Sequence, residues 1–306
     1  MAFPWGDLVA TTLDAWIEKG VAFDNIFKAH PLLEWLKTHA NLEKQGGVKI
    51  NVDLEYGTQT GSWFSGNDTY SETFSAFIDK GIDDWRSYVV NCQFNLDEKM
   101  QNRGEPAIMN LLEKKIQNAE KSISEQLEEK FFDAQTGKEP NGLIDITTNS
   151  GTFMGIPKGT YSWWDGVGGG STATTLSLSN MANIYNSISG GTELPDFIIT
   201  VQDLFEKYEA LCQIYLQISN TKIGDAGFQE LAYKNAIMRF SGYGEANSMF
   251  FLNSKYLYLV SAPDGFFYRD DFERSAGRLR WDAPIVFYGN FMSSNCRRQG
   301  VLICKA

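Results

Sequence analysis

Two histidines, His30 and His39, are all that this 306-residue chain carries. Most of its length therefore lacks the commonest general base and metal ligand. Its four cysteines, Cys92, Cys212, Cys296 and Cys304, show no CxxC or zinc-finger spacing. A chain of this length folds without staples, so all four are expected to be reduced and at least partly buried. There is no block of Lys or Arg: 27 basic residues face 38 acidic ones, a net charge of −11. DNA-wrapping proteins draw affinity from counterions released as phosphates are neutralised, so this chain is poorly built to grip nucleic acid. The acidic balance suits a container that must not stick to its contents, and equally an acidic protein with no nucleic-acid role. No apolar run reaches the roughly 18 residues of a membrane span. The opening Met1-Ala2-Phe3-Pro4-Trp5-Gly6-Asp7 has no cationic start and no apolar run behind it. No signal peptide is expected, and the cytoplasm is the default setting.

Catalytic motifs are missing as well. There is no HExxH, no GxSxG elbow and no Walker loop. Gly166-Val167-Gly168-Gly169-Gly170-Ser171 follows no clear strand and ends in no Lys-Ser/Thr, so it is read as a flexible loop. Asp270, Asp271 and Glu273 lie between Arg269 and Arg274, a solvated mixed-charge loop before a cation site. Both histidines are read as solvated helix-face residues. The strongest enzyme case joins Trp163, Trp164 and Asp165 with Asp53 and Glu55, aromatics and carboxylates as a carbohydrate-active enzyme uses them. With 14% aromatics and 38 acids, such neighbours arise by chance. No catalytic residue, metal or cofactor is assigned.

What is present is a sequence of contrasting segments. Length alone suggests about two domains, and 43% hydrophobic residues suffice for sizeable cores. In the first 45 residues, Leu8, Val9, Leu13, Trp16 and Ile17 recur at helical steps, and Pro31 opens a second short helix. Helices this short must dock on the rest of the chain or on a neighbouring subunit. Gly46-Gly47 then breaks the pattern. Val48, Ile50, Val52, Leu54 and Tyr56 alternate with polar residues, as do Tyr88, Val90, Cys92 and Phe94. The spacing predicts a long antiparallel hairpin between them, with a large exposed connection that carries Trp63 and Phe64. Bulky aromatics in a polar loop call for a partner surface, or else for a local turn contact.

Residues 105–132 carry the clearest helix. Pro106 opens it, and Ile108, Leu112, Ile116, Ala119, Ile123, Leu127 and Phe131 follow at steps of three or four. Its length would be about 42 Å at 1.5 Å per residue. A coiled-coil dimer competes, but the pattern stops after about four heptads. A loop-like stretch over 136–175 precedes a helix near 176–189. A buried strand at 195–201 leads into a helix from 202. Strands at 249–252, 256–260, 285–291 and 301–304 close the chain. The fold class is α+β.

The order of these elements resembles the Hong Kong 97-type capsid fold. The sequence also resembles one branch of tailed-bacteriophage major capsid proteins. The similar stretches are Asn102-Arg103-Gly104 with Asn110-Leu111-Leu112-Glu113-Lys114-Lys115, Pro195-Asp196-Phe197-Ile198-Ile199-Thr200-Val201, Asp225-Ala226-Gly227-Phe228-Gln229-Glu230, Phe250-Phe251-Leu252-Asn253-Ser254-Lys255, and Asn295-Cys296-Arg297-Arg298-Gln299-Gly300. As an ordered set they cover nearly the whole chain.

The resemblance implies an N-terminal arm (1–45), an extended loop (46–95), and a peripheral domain with its spine helix (96–137). An axial domain (138–252) and the peripheral-domain strands with the C-terminus (253–306) follow. It implies a shell of hexamers and pentamers that encloses double-stranded DNA without sequence-specific binding and without a membrane. Scaffolding, portal and decoration proteins are the separate partners it implies; the chain leaves no room for a built-in scaffolding segment. The location would be the virion, after assembly in the host cytoplasm. Trp5, Leu13, Trp16, Trp63 and Phe64 are the expected inter-subunit contacts, and Ile108, Leu112, Ile116, Ile123 and Leu127 the spine-helix core. Some relatives crosslink a loop lysine to a neighbour's asparagine; Lys80 lies in the loop here, but no matching acid is found and no crosslink is assigned. An encapsulin, a nanocompartment of the same fold without DNA, is the alternative. The cysteine pattern sets a first test: alkylation under non-reducing conditions followed by mass spectrometry is expected to count four free thiols, and two or fewer would refute the reduced assignment.

Overall fold

The computed structural model describes residues 30–305 apart from 40, 60, 62, 64, 68–75, 102–104, 170, 217–230, 264, 266–267, 270–271 and 275–276. The amphipathic segment around Leu13 and Trp16 lies outside this range. Helix α1 (Pro31–His39) leads into strands β1 (Asn41–Lys44), β2 (Ile50–Glu55), β3 (Ile78–Asp83) and β4 (Arg86–Asn95). Helices α2 (Leu96–Gln101), α3 (Glu105–Phe132) and α4 (Leu143–Thr147) follow. A minimal hairpin, β5 (Thr152–Phe153) with β6 (Ile156–Pro157), precedes α5 (Leu178–Ile188). Then come β7 (Phe197–Thr200), α6 (Gln202–Leu216), β8 (Leu231–Tyr233), β9 (Ala236–Phe240) and β10 (Ser248–Leu252). The rest is strand and short turns: β11 (Leu257–Ser261), β12 (Tyr268–Arg269), β13 (Glu273–Arg274), β14 (Arg280–Ser293) and β15 (Gly300–Ile303).

Two sheets carry the molecule. The first is built on β14, which pairs antiparallel with β4 from Arg280↔Asn95 to Gly289↔Arg86 and with β11 from Gly289↔Ser261 to Ser293↔Leu257. β12 and β13 add to β14, and β1 lies parallel to β11. The second sheet has the order β15-β10-β7-β9-β8, with β7 and β9 parallel and the other pairs antiparallel. β7 reads as a continuous apolar run because both its faces are covered. Phe197 and Ile199 join the larger core with α1 and α3, while Ile198 faces Met181, Tyr185 and Tyr208 of α5 and α6. The last strand, β15, rejoins the sheet formed by residues 197–252.

The 28-residue helix α3 lies against β4 and β14, and α1 meets it from another side. Ile116, Ala119, Ile123, Leu127 and Phe131 form its buried stripe, as their spacing requires. This face is committed to the chain's own sheet, which disposes of the coiled-coil alternative over these residues. Glu120, Ser124 and Glu128 are buried beside the stripe. At the far end Asp145 accepts from the Gln135 and Gly142 amides at 2.7 and 3.0 Å, closing the turn between α3 and α4. Lys158 is buried, and its ammonium donates to the Asp145, Ile146 and Thr148 carbonyls at 2.6, 2.6 and 3.1 Å, which caps the C-terminus of α4.

Several expectations need correction. The return strand of the hairpin is β3, in register from Ile50↔Asp83 to Glu55↔Ile78, and not the 88–94 segment. Residues 86–95 are claimed by β14 because Cys92 and Phe94 on one face are buried in the body. Ile-Asp-Lys-Gly-Ile-Asp of β3 is mostly exposed, so no apolar alternation marks it as a strand. Val48 stands outside the strand and is exposed. The glycine-rich segment is packed, not flexible. At Gly168 φ is +85°, and a Cβ would sit 2.0 Å from the Val301 carbonyl oxygen. At Gly166 a Cβ would run into the Thr147 backbone at 2.3 Å. His30 is buried, 4% exposed, where a solvated histidine was expected; His39 is exposed and stacks on Trp35.

Cys92, Cys296 and Cys304 are buried and Cys212 half-buried. Burial pushes the Cys296 thiol up to about 11, which keeps it an unreactive neutral group. The α3 stripe generates a stability test. Ile123 is fully buried, and Ile123→Asp would bury an unpaired carboxylate at a cost of several kcal/mol. The expected outcome is insoluble protein on expression; a soluble variant with native circular dichroism would show that the stripe tolerates charge.

Candidate inter-subunit surface

The β2–β3 hairpin carries an exposed connection, and α1 is the first described helix of the chain. The hairpin is directed by its base. Asn141 donates from Nδ2 to Asp83 at 2.7 Å and to the Phe291 carbonyl at 3.1 Å. Its own amide donates to Asn290 Oδ1 at 2.9 Å, and Asn290 Nδ2 donates to the Asp84 carbonyl at 3.1 Å. Asn141 and Asn290 are both buried, so these bonds are shielded from water and fix β3 to the end of β14. Trp85 stacks on Tyr288 at 5.2 Å and donates from Nε1 to the Gly47 carbonyl at 2.9 Å, which ties the first strand to the same base. Arg86 donates to the Gly137 carbonyl at 2.8 Å. The Ile82 amide donates to the Met154 carbonyl at 3.0 Å, so the β5–β6 hairpin props β3 from beside it.

The two strands of the hairpin are covered unequally. Ile50 and Leu54 of β2 turn inward, while Ile78 and Ile82 of β3 are exposed. The Tyr56 amide donates to the Phe77 carbonyl at 2.9 Å, the last rung before the 57–76 connection. Trp63 on that connection is fully exposed, at 102%. An indole in open water is costly and adhesive unless another surface covers it. Phe64, Trp5, Leu13 and Trp16 lie outside the described residues. Lys80 is exposed on β3.

α1 is held on three sides. Its apolar face, Leu32, Leu33, Trp35 and Leu36, is buried, and Trp35 stacks on Phe197 of β7 at 4.7 Å. Glu34 pairs with Arg239 of β9 at 2.7 Å. Glu128 of α3 is 0% exposed and caps the first turn. Its carboxylate accepts from the Leu32 and Leu33 amides at 3.2 and 3.1 Å and from the Ser241 hydroxyl at 3.0 Å. Burial pushes the Glu128 carboxyl up to about 7, against the pull of those three donors. Burial also holds the His30 imidazole below its usual value.

Of the expected spine-helix residues, Ile116, Ile123 and Leu127 are buried under the first sheet. Ile108 and Leu112 lie on the α3 backbone, with side chains outside the described set. The sequence reading passed over Glu128, Asn141 and Asn290. A lone Glu among helix-face acids carries no visible mark, and neither does an Asn in a loop. The one available signal was Glu128 falling next to Leu127 in the stripe, one turn from Phe131.

The carbohydrate reading can be tested on geometry. A cavity of about 240 Å³ is lined by Glu55, Tyr56, Trp163, Arg297 and Arg298 among others. Tyr56 stacks on Trp163 at 4.9 Å. Trp164 is buried, its Nε1 donating to the Phe153 carbonyl at 3.2 Å. Asp165 accepts from the Gly159 amide at 2.7 Å. Asp53 does not line the cavity, so Glu55 lacks the second carboxyl that glycoside hydrolysis uses. Among the described residues no group of three His, Cys, Asp or Glu is placed to hold a metal ion, and no helix is long and apolar enough to cross a membrane.

No family model matches the chain, and no curated protein matches it. Solved structures do match. The capsid asymmetric unit of cyanophage A-1(L) has a TM-score of 0.66 at 15% identity, covering 88% of this chain and 92% of that one. The capsid of the native GTA particle has a TM-score of 0.64 at 11% identity, covering 89% and 90%. The holo encapsulin complex from Synechococcus elongatus has a TM-score of 0.57 at 8% identity, covering 90% and 88%. The chain therefore has the mixed helix-and-sheet fold of capsid shell subunits. That fold is the Hong Kong 97-like one, and it spans nearly the full length of each compared subunit.

The asparagine base yields a prediction. Asn141→Ala removes the bonds to Asp83 and to the Phe291 carbonyl and leaves buried acceptors unpaired, at about 1–3 kcal/mol. The expected result is a folded subunit with a lowered melting temperature and faster hydrogen exchange over residues 78–83. Unchanged exchange there would mean that the base does not direct the hairpin.

Proposed function

We propose that this chain is the major capsid protein of a tailed bacteriophage, a subunit that assembles into an icosahedral head around double-stranded DNA. The observation that carries the reading is the hairpin: a two-stranded element anchored through buried asparagines, bearing a fully exposed Trp63 that the described residues leave uncovered. An exposed anchor on a braced extension is a contact made for another copy. The near-complete overlap with capsid subunits supports the same reading. A net charge of −11 on the chain suits a wall that must release its DNA.

In this proposal residues 1–45 form the arm and 46–95 the extended loop. Residues 96–137 and 253–306 build the peripheral domain, and 138–252 the axial domain, with β15 lending an edge strand to the axial sheet. Hexamers and pentamers are the working oligomers, and scaffolding, portal and decoration proteins are separate chains. The subunit has no catalytic role. It acts in the virion, after assembly in the host cytoplasm. An encapsulin-type compartment would share the fold, and DNA recovered from purified particles separates the two.

Negative-stain microscopy of the purified chain is expected to show shells, sheets or capsomers; sedimentation as a clean monomer at every concentration and salt would sink the proposal. The hairpin makes the sharper test. Trp63→Ala with Phe64→Ala is expected to give a folded, soluble subunit that fails to form stable shells, each contact weakened by about 1–3 kcal/mol. Normal assembly, or outright unfolding, would mean that the connection is not the clamp between subunits.

A further inference from the structure

Glu128 is a buried carboxyl with donors around it but, among the described residues, no counter-charge. On its own helix Lys121 pairs with Glu125 at 3.8 Å, and Glu129 accepts from Gln126 at 3.0 Å. From the α1 side, Glu34 is paired with Arg239, and His30 sits buried in contact with the Tyr243 ring at 5.9 Å. From the β9 side come that same Arg239, the Ser241 hydroxyl and Tyr243, whose phenol is pushed up by burial and by Glu125, Glu128 and Glu129. Among the described residues no ion pair reaches Glu128, so three neutral dipoles carry the whole task of holding its charge.

Such a site accommodates either protonation state. Ionised, the carboxylate takes all three donors at the expense of a desolvated charge. Protonated, it keeps the Leu33 bond, while its new O–H turns to Ser241, whose hydroxyl rotates from donor to acceptor. What differs between the states is water. α1 is the lid over Glu128, and lifting α1 would let the carboxyl ionise in solvent at no penalty. We propose that docking of α1 onto α3 takes up a proton at Glu128, so that this first helix is gripped in acidic solution and loosened as the solution approaches neutrality.

The sign follows from linkage. With α1 docked the carboxyl is raised from 4.5 to about 7. Below 4.5 the group is neutral whether α1 is docked or lifted, and docking keeps its full strength. Between 4.5 and about 7 the lifted form ionises and the docked form does not, so the grip weakens steadily; once pH has risen through about 7 the docked form ionises too and that part of the grip is gone. The change in the docking equilibrium over this window is on the order of a hundredfold at most. The device belongs to a single subunit and acts whether or not the chain builds shells, so its test and the assembly test fail separately.

The measurement is hydrogen exchange by mass spectrometry on the full chain, between about pH 5 and about pH 8. Exchange over residues 31–39 is expressed relative to α5, which carries no Asp, Glu, His, Lys or Arg and so reports the intrinsic pH dependence. In the wild type the ratio is expected to rise tens of fold, roughly, across the window. Glu128→Gln removes the titrating group and is expected to flatten the profile. Ser241→Ala withdraws one donor from the ionised form and is expected to move the midpoint upward; a residue with a merely structural role would loosen α1 equally at every pH. A flat wild-type profile overturns the proposal, and so does a pH dependence that survives Glu128→Gln. If Glu128→Gln does not fold, the wild-type profile and the Ser241→Ala midpoint decide the matter: an unmoved midpoint refutes it.

Discussion

Every part of the first sheet hangs on the β14 ladder. β4 and β11 share β14 nearly end to end and hand over at Gly289, which pairs with both Arg86 and Ser261. The handover demands a glycine, because a Cβ there would stand 2.5 Å from the Val260 carbonyl oxygen. The next residue, Asn290, stays in the ladder opposite Val260 while its side chain holds the hairpin base through Asn141 and Asp84. The direction of the exposed hairpin is thus set by a strand that never enters it. Beneath the ladder, α3 fills the space with Ile123, Leu127 and Phe131, each worth about 1.5–3 kcal/mol of burial.

Some of the polar groups inside this body join separate pieces. Glu128 links α3, α1 and the end of β9. Lys158 closes the end of α4 with three carbonyls. Gln299 and Asn253 bond each other where β10 leaves one sheet for the other, at 2.9 and 3.1 Å. Apolar contacts are tolerant of small rotations, whereas these bonds fail if a piece shifts by an ångström. The arrangement places hydrophobic adhesion in the layers and orientation in the joints.

Legibility in the sequence followed the physical range of each signal. α3 was readable over its full length because its apolar spacing repeats through 28 residues. α1, α5, β7 and β10 were readable for the same reason on a shorter scale. β3 was not, since its isoleucines are exposed and its inward-facing position is Gly81, which leaves no apolar period to display. The pairing of β4 with β14 was hidden too, because alternation names a face and not a partner. The glycine-rich stretch misled by composition: its glycines serve close approach to Thr147 and Val301. The exposure of Trp63 was legible, as a bulky aromatic among small polar residues. Glu128 and Asn141 act across long sequence separations, and nothing nearby in the chain announces them.

The pairing of early strands with late ones sets a clock on synthesis. β4 emerges long before β14, and β7 and β10 long before β15 closes their sheet. A ribosome-bound chain that has exposed the hairpin and the spine helix still lacks the strand that orients them. Contacts this distant in sequence delay the folding barrier until translation nears its end. The hairpin base is complete only once β14 has been made, since Asn290 and Tyr288, which hold it, both belong to that late strand.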